Sequence, residues 1–141
     1  MTGLDVQELK SPDSRLLAAA REAGGKAYAP YSGYHVGAAV LTDTGEIFTG
    51  CNVENASYGL TNCAERTAIF KAVSSGARKI TAVAVAGPVD GSPAYPCGAC
   101  RQVIEEFAES GQMPIYVSTG AESYEVYTLA ELLPKGFRLL S

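Results

Sequence analysis

The sequence has little of three features that would point to common functions: it contains one histidine, no cluster of lysine or arginine, and no long apolar run. A single histidine without a partner pattern gives no support for a serine triad. The longest apolar stretches, such as 80–87, are too short to span a bilayer. Residues 1–10 contain Asp5, Glu8 and Lys10 without a continuous apolar core, which is not typical of a secretory signal. We therefore expect a cytoplasmic protein with no membrane partner.

Charge and length narrow the possibilities further. The net charge is −4, whereas binding to a polynucleotide backbone normally requires a basic surface. The sequence therefore favours a small-molecule partner and no nucleic acid. With 141 residues and no repeat, low-complexity segment or linker, the chain has the length of one domain with one core. We predict a single domain over 1–141.

Hydrophobic spacing and turn residues predict a series of strands and helices. The first helix starts at Ser11-Pro12-Asp13 and stops at Gly24-Gly25. Further helices are predicted over 62–75, 97–109 and 129–133, and strands over 36–41, 46–53, 80–86, 114–118 and 124–128. This order predicts an α/β fold, a three-layer α/β/α sandwich on a mixed five-stranded sheet.

The four cysteines are Cys51, Cys63, Cys97 and Cys100. Without an export signal, we interpret them as thiols, metal ligands or nucleophiles rather than as a disulfide framework. Cys63 and the pair Cys97 and Cys100 fall where helices are predicted to start, and a helix N-terminus stabilises thiolates. Cys97 and Cys100, three residues apart, can point the same way and hold one ion. Together with Cys63 they give three ligands, and a catalytic zinc keeps its fourth position open for water.

A glutamate accompanies the first of these cysteines. Glu65 follows Cys63 by two residues, near enough to meet the water without binding the metal. A Cys or His, then Glu after one residue, then Pro-Cys-x-x-Cys is a signature of zinc deaminases. The sequence has this pattern as CAE at 63–65 and PCGAC at 96–100.

Other interpretations of these residues remain open at this point. The Cys-x-x-Cys segment also resembles a thioredoxin-like dithiol, although that interpretation leaves Cys63 unexplained. Asn62 with Glu65 three residues later is a capping-box pattern, which the local sequence alone favours. Cys51 could complete a closed four-cysteine zinc site without enzyme activity, although its apolar strand indicates a buried thiol. His35 is predicted to be a packed or surface residue.

Several longer stretches resemble the homotetrameric cytidine deaminases with three zinc-binding cysteines. They occur in the order and spacing of that family along most of the chain: APYS to VGAA over 29–39, GCNVENASY over 50–58, NCAERTA over 62–68, PCGACRQV over 96–103 and LLPKGF over 132–137. The joint order and spacing of these stretches, rather than any one of them, carry the resemblance. The resemblance implies the fold predicted above, bound Zn²⁺, and a homotetramer whose active sites are shared between subunits.

The resemblance also assigns the site residues. It implies that Cys63, Cys97 and Cys100 bind zinc and that Glu65 shuttles protons. It also implies three substrate-binding residues. Asn52 and Glu54 hold the ribose 3′-hydroxyl, and Ala64 holds the base edge through its backbone.

Aromatic side chains complete the implied substrate site. Tyr34 and Phe137 would sandwich the pyrimidine, with Phe137 and Tyr58 reaching in from neighbouring subunits. One position departs from the family, which usually has phenylalanine where this chain has Tyr34. Its ring can still stack, but its hydroxyl needs a partner.

The implied reaction is hydrolysis of the 4-amino group of the nucleosides cytidine and deoxycytidine, with release of ammonia, in pyrimidine salvage. Zinc-bound hydroxide would attack C4, and Glu65 would move protons from the water to N3 and to the departing amine. Three thiolates leave Zn²⁺ with net charge −1, which Arg66 could offset by hydrogen bonds to sulfur. Arg66 and Arg101 could also be no more than solvated helix charges. The alternatives among zinc deaminases are another cytosine-bearing nucleoside and, disfavoured by charge and size, a polynucleotide.

Overall fold

Helices and strands follow the predicted order in residues 12–88 and 93–140, the parts of the chain that the computed structural model describes. The helices are α1 Pro12–Ala23, α2 Ala64–Ser74, α3 Gly98–Phe107 and α4 Leu129–Leu132. The strands are β1 Gly37–Thr42, β2 Ile47–Cys51, β3 Ile80–Ala86, β4 Pro114–Ser118 and β5 Tyr124–Thr128. Short 3₁₀ turns lie at Gly24–Lys26 and Tyr58–Leu60. The predicted cap on Ser11 lies outside the described residues.

The strands form one five-stranded sheet in the order β2-β1-β3-β4-β5. The pair β3 and β4 is parallel, and the other neighbouring pairs are antiparallel. The predicted mixed five-stranded sheet is therefore confirmed. Strand β3, an almost uninterrupted apolar run, lies in the middle of the sheet and is buried on both faces, as parallel strands covered by helices usually are.

Helices cover the sheet on both sides. On one face, Leu16, Leu17 and Ala20 of α1 pack against the small side chains of β1 and β3. On the other face, α2, α3 and α4 contribute Ile69, Ile104 and Leu129 to a larger core. The three-layer α/β/α sandwich predicted from the order of elements is confirmed.

Differences from the predicted boundaries cluster where segments leave the sheet. Strand β2 ends at Cys51 instead of at Val53, because Val53 bridges to Tyr28 and Asn62 rather than to β1. Helices α2 and α3 begin after Cys63 and Cys97, which are extended N-cap residues.

The predicted capping box at Asn62 and Glu65 is wrong. The N-cap of α2 is Cys63, and the Asn62 amide donates instead to Thr67 Oγ1 at 3.1 Å. A capping box does occur at the start of α4, where Thr128 and Glu131 satisfy each other's backbone N–H groups.

The direction of the strands brings the starts of α2 and α3 together. Strands β2 and β3 are both antiparallel to β1, so their carboxyl ends lie at the same edge of the sheet. Helix α2 follows β2 and α3 follows β3, so both helices begin at that edge, where α/β proteins commonly bind ligands. Gly50 lets α2 lie close to β2: a Cβ there would be 2.7 Å from Ala64 O and would contact Ala68 N.

Across the two described ranges, none of the helices has the length and apolar character needed to cross a membrane.

Candidate active site

Three thiols meet where the two helices begin. Cys63 is the N-cap of α2, Cys97 is the N-cap of α3, and Cys100 lies in the first turn of α3. Their sulfur atoms all lie within 4.8 Å of one another, and Cys63 Sγ is 3.8 Å from Cys97 Sγ. Tetrahedral zinc with Zn–S bonds of about 2.3 Å separates its sulfur ligands by about 3.8 Å. The thiols therefore fit zinc, and three protein ligands are the set of a catalytic rather than a closed site.

The fourth cysteine lies elsewhere. The thiol of Cys51 donates to Lys26 O at 3.4 Å and lines a separate small cavity together with Lys71. It does not belong to the cluster of three sulfurs, so the closed four-cysteine site is wrong. The proximity of Cys63 to Cys97 and Cys100 likewise leaves the dithiol interpretation without support, because a dithiol needs only two of the three.

Hydrogen bonds within the cluster stabilise the thiolate form of Cys63. Contact with the Cys100 thiol, then with Arg66 and Cys97, lowers the pKa of Cys63 to about 5. The pKa of Cys100 is raised, because its proton is shared with Cys63 and because it is buried. Since metal ligands must be deprotonated, zinc uptake by this cluster releases the remaining thiol protons.

Arg66 lies against the cluster from the first turn of α2. Its Nη2 donates to Cys63 Sγ at 3.3 Å, and this contact raises the pKa of the guanidinium. Its Nε is buried and has no hydrogen-bond partner within 12–88 and 93–140. A guanidinium in this position stabilises negative charge on Cys63 Sγ.

Glu65 is the buried acid of the site. Its side chain is 3% exposed and lines the same cavity as Cys63 and Cys97. Burial, reinforced by the negative charge of Cys63, raises the pKa of Glu65 to about 7. A carboxyl group with this pKa can both accept and donate a proton near neutral pH.

The first cavity has a volume of about 340 Å³ and is lined by Cys63 and Cys97, while Cys100 is buried behind it. Six of the predicted site residues line it: Tyr34, Asn52, Cys63, Ala64, Glu65 and Cys97. The hydroxyl of Tyr34 lies close to Gly87 at the end of β3. A Cβ on Gly87 would be 3.1 Å from Tyr34 Oη and 3.1 Å from Ala94 Cβ. The extra oxygen of Tyr34 thus lies beside Gly87, directly after the end of β3.

A second cavity, also about 340 Å³, adjoins the first and shares Tyr34, Asn52 and Thr61 with it. The predicted residues Glu54 and Tyr58 line this second cavity. The site is therefore a two-part cleft, with the thiols and Glu65 in one part and Glu54 in the other.

Asn52 and Glu54 also organise the cleft through contacts that the sequence did not suggest. Asn52 Oδ1 accepts from Val36 N at 2.9 Å, and its amide donates to Tyr34 O at 2.8 Å, which holds Tyr34 in place. Glu54 accepts from the Ser32 hydroxyl and from the backbone N–H groups of Tyr31 and Ser32. The Ser32 hydroxyl lowers the pKa of Glu54, so this carboxyl stays ionised.

Two predicted aromatic residues lie at the surface. Phe137 is 64% exposed and lines neither cavity, while its carbonyl accepts from Gln102 Nε2 at 3.0 Å. Tyr58 is 89% exposed and lines the second cavity of its own chain. His35 is exposed as well.

Sequence reasoning missed several residues of the first cavity: Val36, Thr61, Asn62, Pro93, Ala94 and Tyr95. The signal that could have found three of them was position, because Pro93, Ala94 and Tyr95 directly precede the Pro96-Cys97 motif. It was also wrong to allow Arg101 as a solvated charge. Arg101 Nε donates to Pro96 O at 2.8 Å, and its Nη1 donates to Leu132 O at 2.9 Å.

Three thiols and a buried glutamate, placed where two helices of an α/β/α sandwich begin, define the class of zinc deaminases. The chain belongs to the cytidine and deoxycytidylate deaminase family: the model described as "Cytidine and deoxycytidylate deaminase zinc-binding region" matches residues 10–116. The family noted from the motifs and its three clustered cysteines are thereby confirmed.

Individual relatives agree with this family. The chain is 51% identical to a cytidine deaminase of Sporosarcina psychrophila, over 87% of this chain and 89% of the relative. It is 47% identical to a cytidine deaminase of Halalkalibacterium halodurans, over 86% and 91%. The structure matches cytidine deaminase from Burkholderia pseudomallei with a TM-score of 0.82 and 46% identity, covering 90% of this chain and 100% of the other. The enzyme from Mycobacterium tuberculosis matches with a TM-score of 0.76 and 39% identity, covering 92% and 100%.

Proposed function

We propose that this protein is a zinc-dependent cytidine deaminase that converts free cytidine and deoxycytidine to uridine and deoxyuridine with release of ammonia. The names of the relatives above support this substrate. The observation that carries the proposal is the buried carboxyl of Glu65 in a cavity lined by Cys63 and Cys97, two members of the cluster of three thiols. This arrangement provides an acid and base beside a metal centre.

Charge in the cleft favours a nucleoside over a nucleotide. Among the described residues that line the two cavities there is no lysine, arginine or histidine. The ionised Glu54 instead places a negative charge in the second cavity. A phosphate group would meet this carboxylate without a cation to offset it, so deoxycytidylate is a poor substrate.

The two cavities suggest how the nucleoside lies. The pyrimidine occupies the first cavity with its amino group toward the thiols, and the ribose occupies the second. Ala64, buried at the start of α2, offers its backbone to the base edge, and Tyr34 offers its ring as one wall. Asn52 and Glu54 bind the ribose hydroxyls from the second cavity.

Glu65 moves the protons of the reaction. Zinc, when it is bound by the three thiolates, supplies a positive charge that acidifies the attacking water. Glu65 accepts a proton from this water and gives it to N3 of the ring, which makes C4 more electrophilic. Once C4 carries the hydroxyl, Glu65 takes the remaining proton of that hydroxyl and passes it to the amino group. The C4–N bond then breaks as the C4 carbonyl forms, so ammonia leaves and N3 keeps the first proton. Arg66 keeps the sulfur cluster close to neutral during these steps.

The test is ammonia release from cytidine by zinc-loaded protein, measured together with zinc content. We expect stoichiometric conversion of cytidine to uridine and ammonia, with CMP turned over far more slowly. The Glu54→Gln variant should turn over CMP faster than the parent does, because it removes the repelling charge, while cytidine turnover falls with the loss of a ribose contact. Absence of ammonia from a fully zinc-loaded protein would refute the proposed reaction, and equal turnover of CMP would refute the preference for nucleosides.

We further propose that the protein is a cytoplasmic homotetramer of pyrimidine salvage with active sites shared between subunits. The exposed Phe137 and Tyr58 support sharing, because each is a large aromatic side chain turned away from the core. Further exposed apolar side chains, Leu60, Leu139 and Leu140, are consistent with surfaces that a second copy covers.

Subunit exchange tests the shared site. Glu65→Ala and Phe137→Ala proteins, each impaired, are mixed after mild dissociation. If a site combines Glu65 of one chain with Phe137 of another, some mixed sites are wild type and activity rises above the sum of the separate variants. Light scattering must show that subunits exchanged. Exchange without recovered activity would refute sharing and leave the zinc chemistry in place.

A further inference from the structure

Three side chains connect the wall of the first cavity to strand β5. Tyr95 Oη donates to Glu125 Oε1 at 2.8 Å, and Tyr127 Oη donates to the same oxygen at 2.7 Å. The two rings meet edge to face, with centroids 6.0 Å apart and an interplanar angle of 73°. We call these three residues the tyrosine clamp.

Strand geometry explains why β5 can reach the cavity. Side chains alternate along a strand, so Glu125 and Tyr127 project from the same face of the sheet. Tyr127 packs against the core formed by α2, α3 and α4, so this is the face that carries the active site. The hydroxyl groups of Tyr127 and Tyr95 lower the pKa of Glu125, which keeps it an ionised acceptor.

The clamp holds a segment with few other attachments. Residues 93–96 line or adjoin the cavity and lead directly into Cys97. Within 12–88 and 93–140, this segment makes no backbone-to-backbone hydrogen bond. Besides the clamp at Tyr95, it is held by Arg101, which binds the carbonyl of the buried Pro96, and by Ala94, which packs against the larger core.

We propose that Glu125 is a positioning residue for substrate binding, which acts by holding the ring of Tyr95 and the 93–96 wall against the cavity. This proposal rests on the proposed function. Its hydrogen bonds engage neither the three thiols nor Glu65. Loss of the clamp therefore weakens binding of the nucleoside and leaves the chemical step intact.

A double-mutant cycle tests the clamp. We expect Glu125→Ala and Tyr95→Phe each to raise KM for cytidine, and the calorimetric Kd for uridine, by about three- to tenfold, which is the range for one net hydrogen bond. The kcat should stay within about twofold, since no catalytic contact is lost. The double variant should resemble Glu125→Ala, because the bond that Tyr95→Phe removes is already absent without Glu125.

Three further proteins complete the experiment. Glu125→Gln retains an acceptor oxygen and should restore most of the affinity. Tyr127→Phe keeps the bond between Tyr95 and Glu125 and should have the smaller effect. Glu109→Ala removes an equal charge from an exposed position and should leave KM unchanged.

The outcomes separate the clamp from the proposed function. A parent protein that releases no ammonia from cytidine refutes the proposed function. If the parent is active, unchanged KM in the variants, strictly multiplicative effects in the double variant, or a fall in kcat without a change in KM each overturn the clamp. A purely structural role would lower the thermal midpoint without the split between KM and kcat.

Discussion

Helices α2 and α3 begin in the same way and continue in different surroundings. Both have a cysteine N-cap with an extended backbone: Cys63 has φ −76° and ψ 157°, and Cys97 has φ −72° and ψ 171°. Neither thiol caps its own helix by a hydrogen bond. After Cys63 the chain is buried at once, whereas Gly98 and Ala99 remain exposed before the buried Cys100.

The difference separates binding a metal from performing chemistry. A thiol in the first turn of a helix becomes a good ligand because of the local dipole and free N–H groups, which both starts provide. At the α2 start, burial and the negative charge of Cys63 raise the pKa of the Glu65 carboxyl to about 7, whereas the first turn of α3 contains no acidic residue. In its first turn the exposed start of α3 has Cys100, which is a further metal ligand beside Cys97, instead of a carboxyl group.

The largest effect is expected from removing a ligand. Cys97→Ala leaves two thiols, so the protein should lose both zinc and turnover, the latter to background. Cys51→Ala is the matched control, because its thiol lies outside the cluster, and it should retain zinc and most activity. Zinc per chain is measured by elemental analysis after gel filtration. Loss of metal from Cys51→Ala equal to that from Cys97→Ala would contradict the cluster of three.

Glu65→Gln should keep the fold and zinc but lose roughly 10²–10⁴-fold in kcat, because the amide cannot transfer protons. Glu106→Gln, at an exposed position of α3, is the control for losing a carboxylate and should behave like the parent. Rates from ammonia release are compared at equal zinc content. A Glu65→Gln rate within a few-fold of that of the parent would show that Glu65 does not transfer protons. The start of α2 would then differ from that of α3 in burial but not in chemistry.

The sequence was most informative where local pattern and tertiary structure agree. The bounds of β3, β4 and β5 match their prediction because apolar runs between turns leave few alternatives. The metal-binding thiols were predictable because a motif and two helix starts coincided. The sequence pattern of a capping box is present at both Asn62 and Thr128, but only Thr128 forms one. Tertiary contacts, which the local pattern does not contain, bury the start of α2 and decide the difference.

Long-range contacts between polar side chains were beyond local reasoning. Burial of Glu65 depends on how closely α2 approaches β2. Gly50 in β2 permits this close approach because it has no side chain. Tyr95 and Glu125 are 30 residues apart, and nothing in the spacing of either residue indicates the other. The same holds for Arg101 and its contact with Leu132.

Arg66→Gln should lower zinc affinity or kcat by about 10–100-fold, the usual effect of losing a partner of metal ligands. The cause is the uncompensated charge of the thiolates once the contact with Cys63 Sγ is lost. Arg66→Lys keeps the charge without the planar fork and should be intermediate. Zinc affinity is measured by competition with a chelator, separately from turnover. Unchanged values for both would mean that Arg66 is a surface charge.

Arg101→Gln should have the smallest effect on chemistry and a measurable effect on stability. Arg101 follows Cys100 as Arg66 follows Glu65, but its guanidinium binds the carbonyls of Pro96 and Leu132 instead of sulfur. Losing hydrogen bonds from a charged donor to two half-buried carbonyls should lower the free energy of unfolding by about 2 kcal/mol. Zinc affinity and kcat should stay within a few-fold of the parent. Denaturant unfolding of zinc-loaded parent, Arg66→Gln and Arg101→Gln makes the comparison. If Arg101→Gln instead lost zinc affinity as Arg66→Gln does, at unchanged stability, both arginines would act on the metal site. The proposed difference between the starts of α2 and α3 would then be wrong.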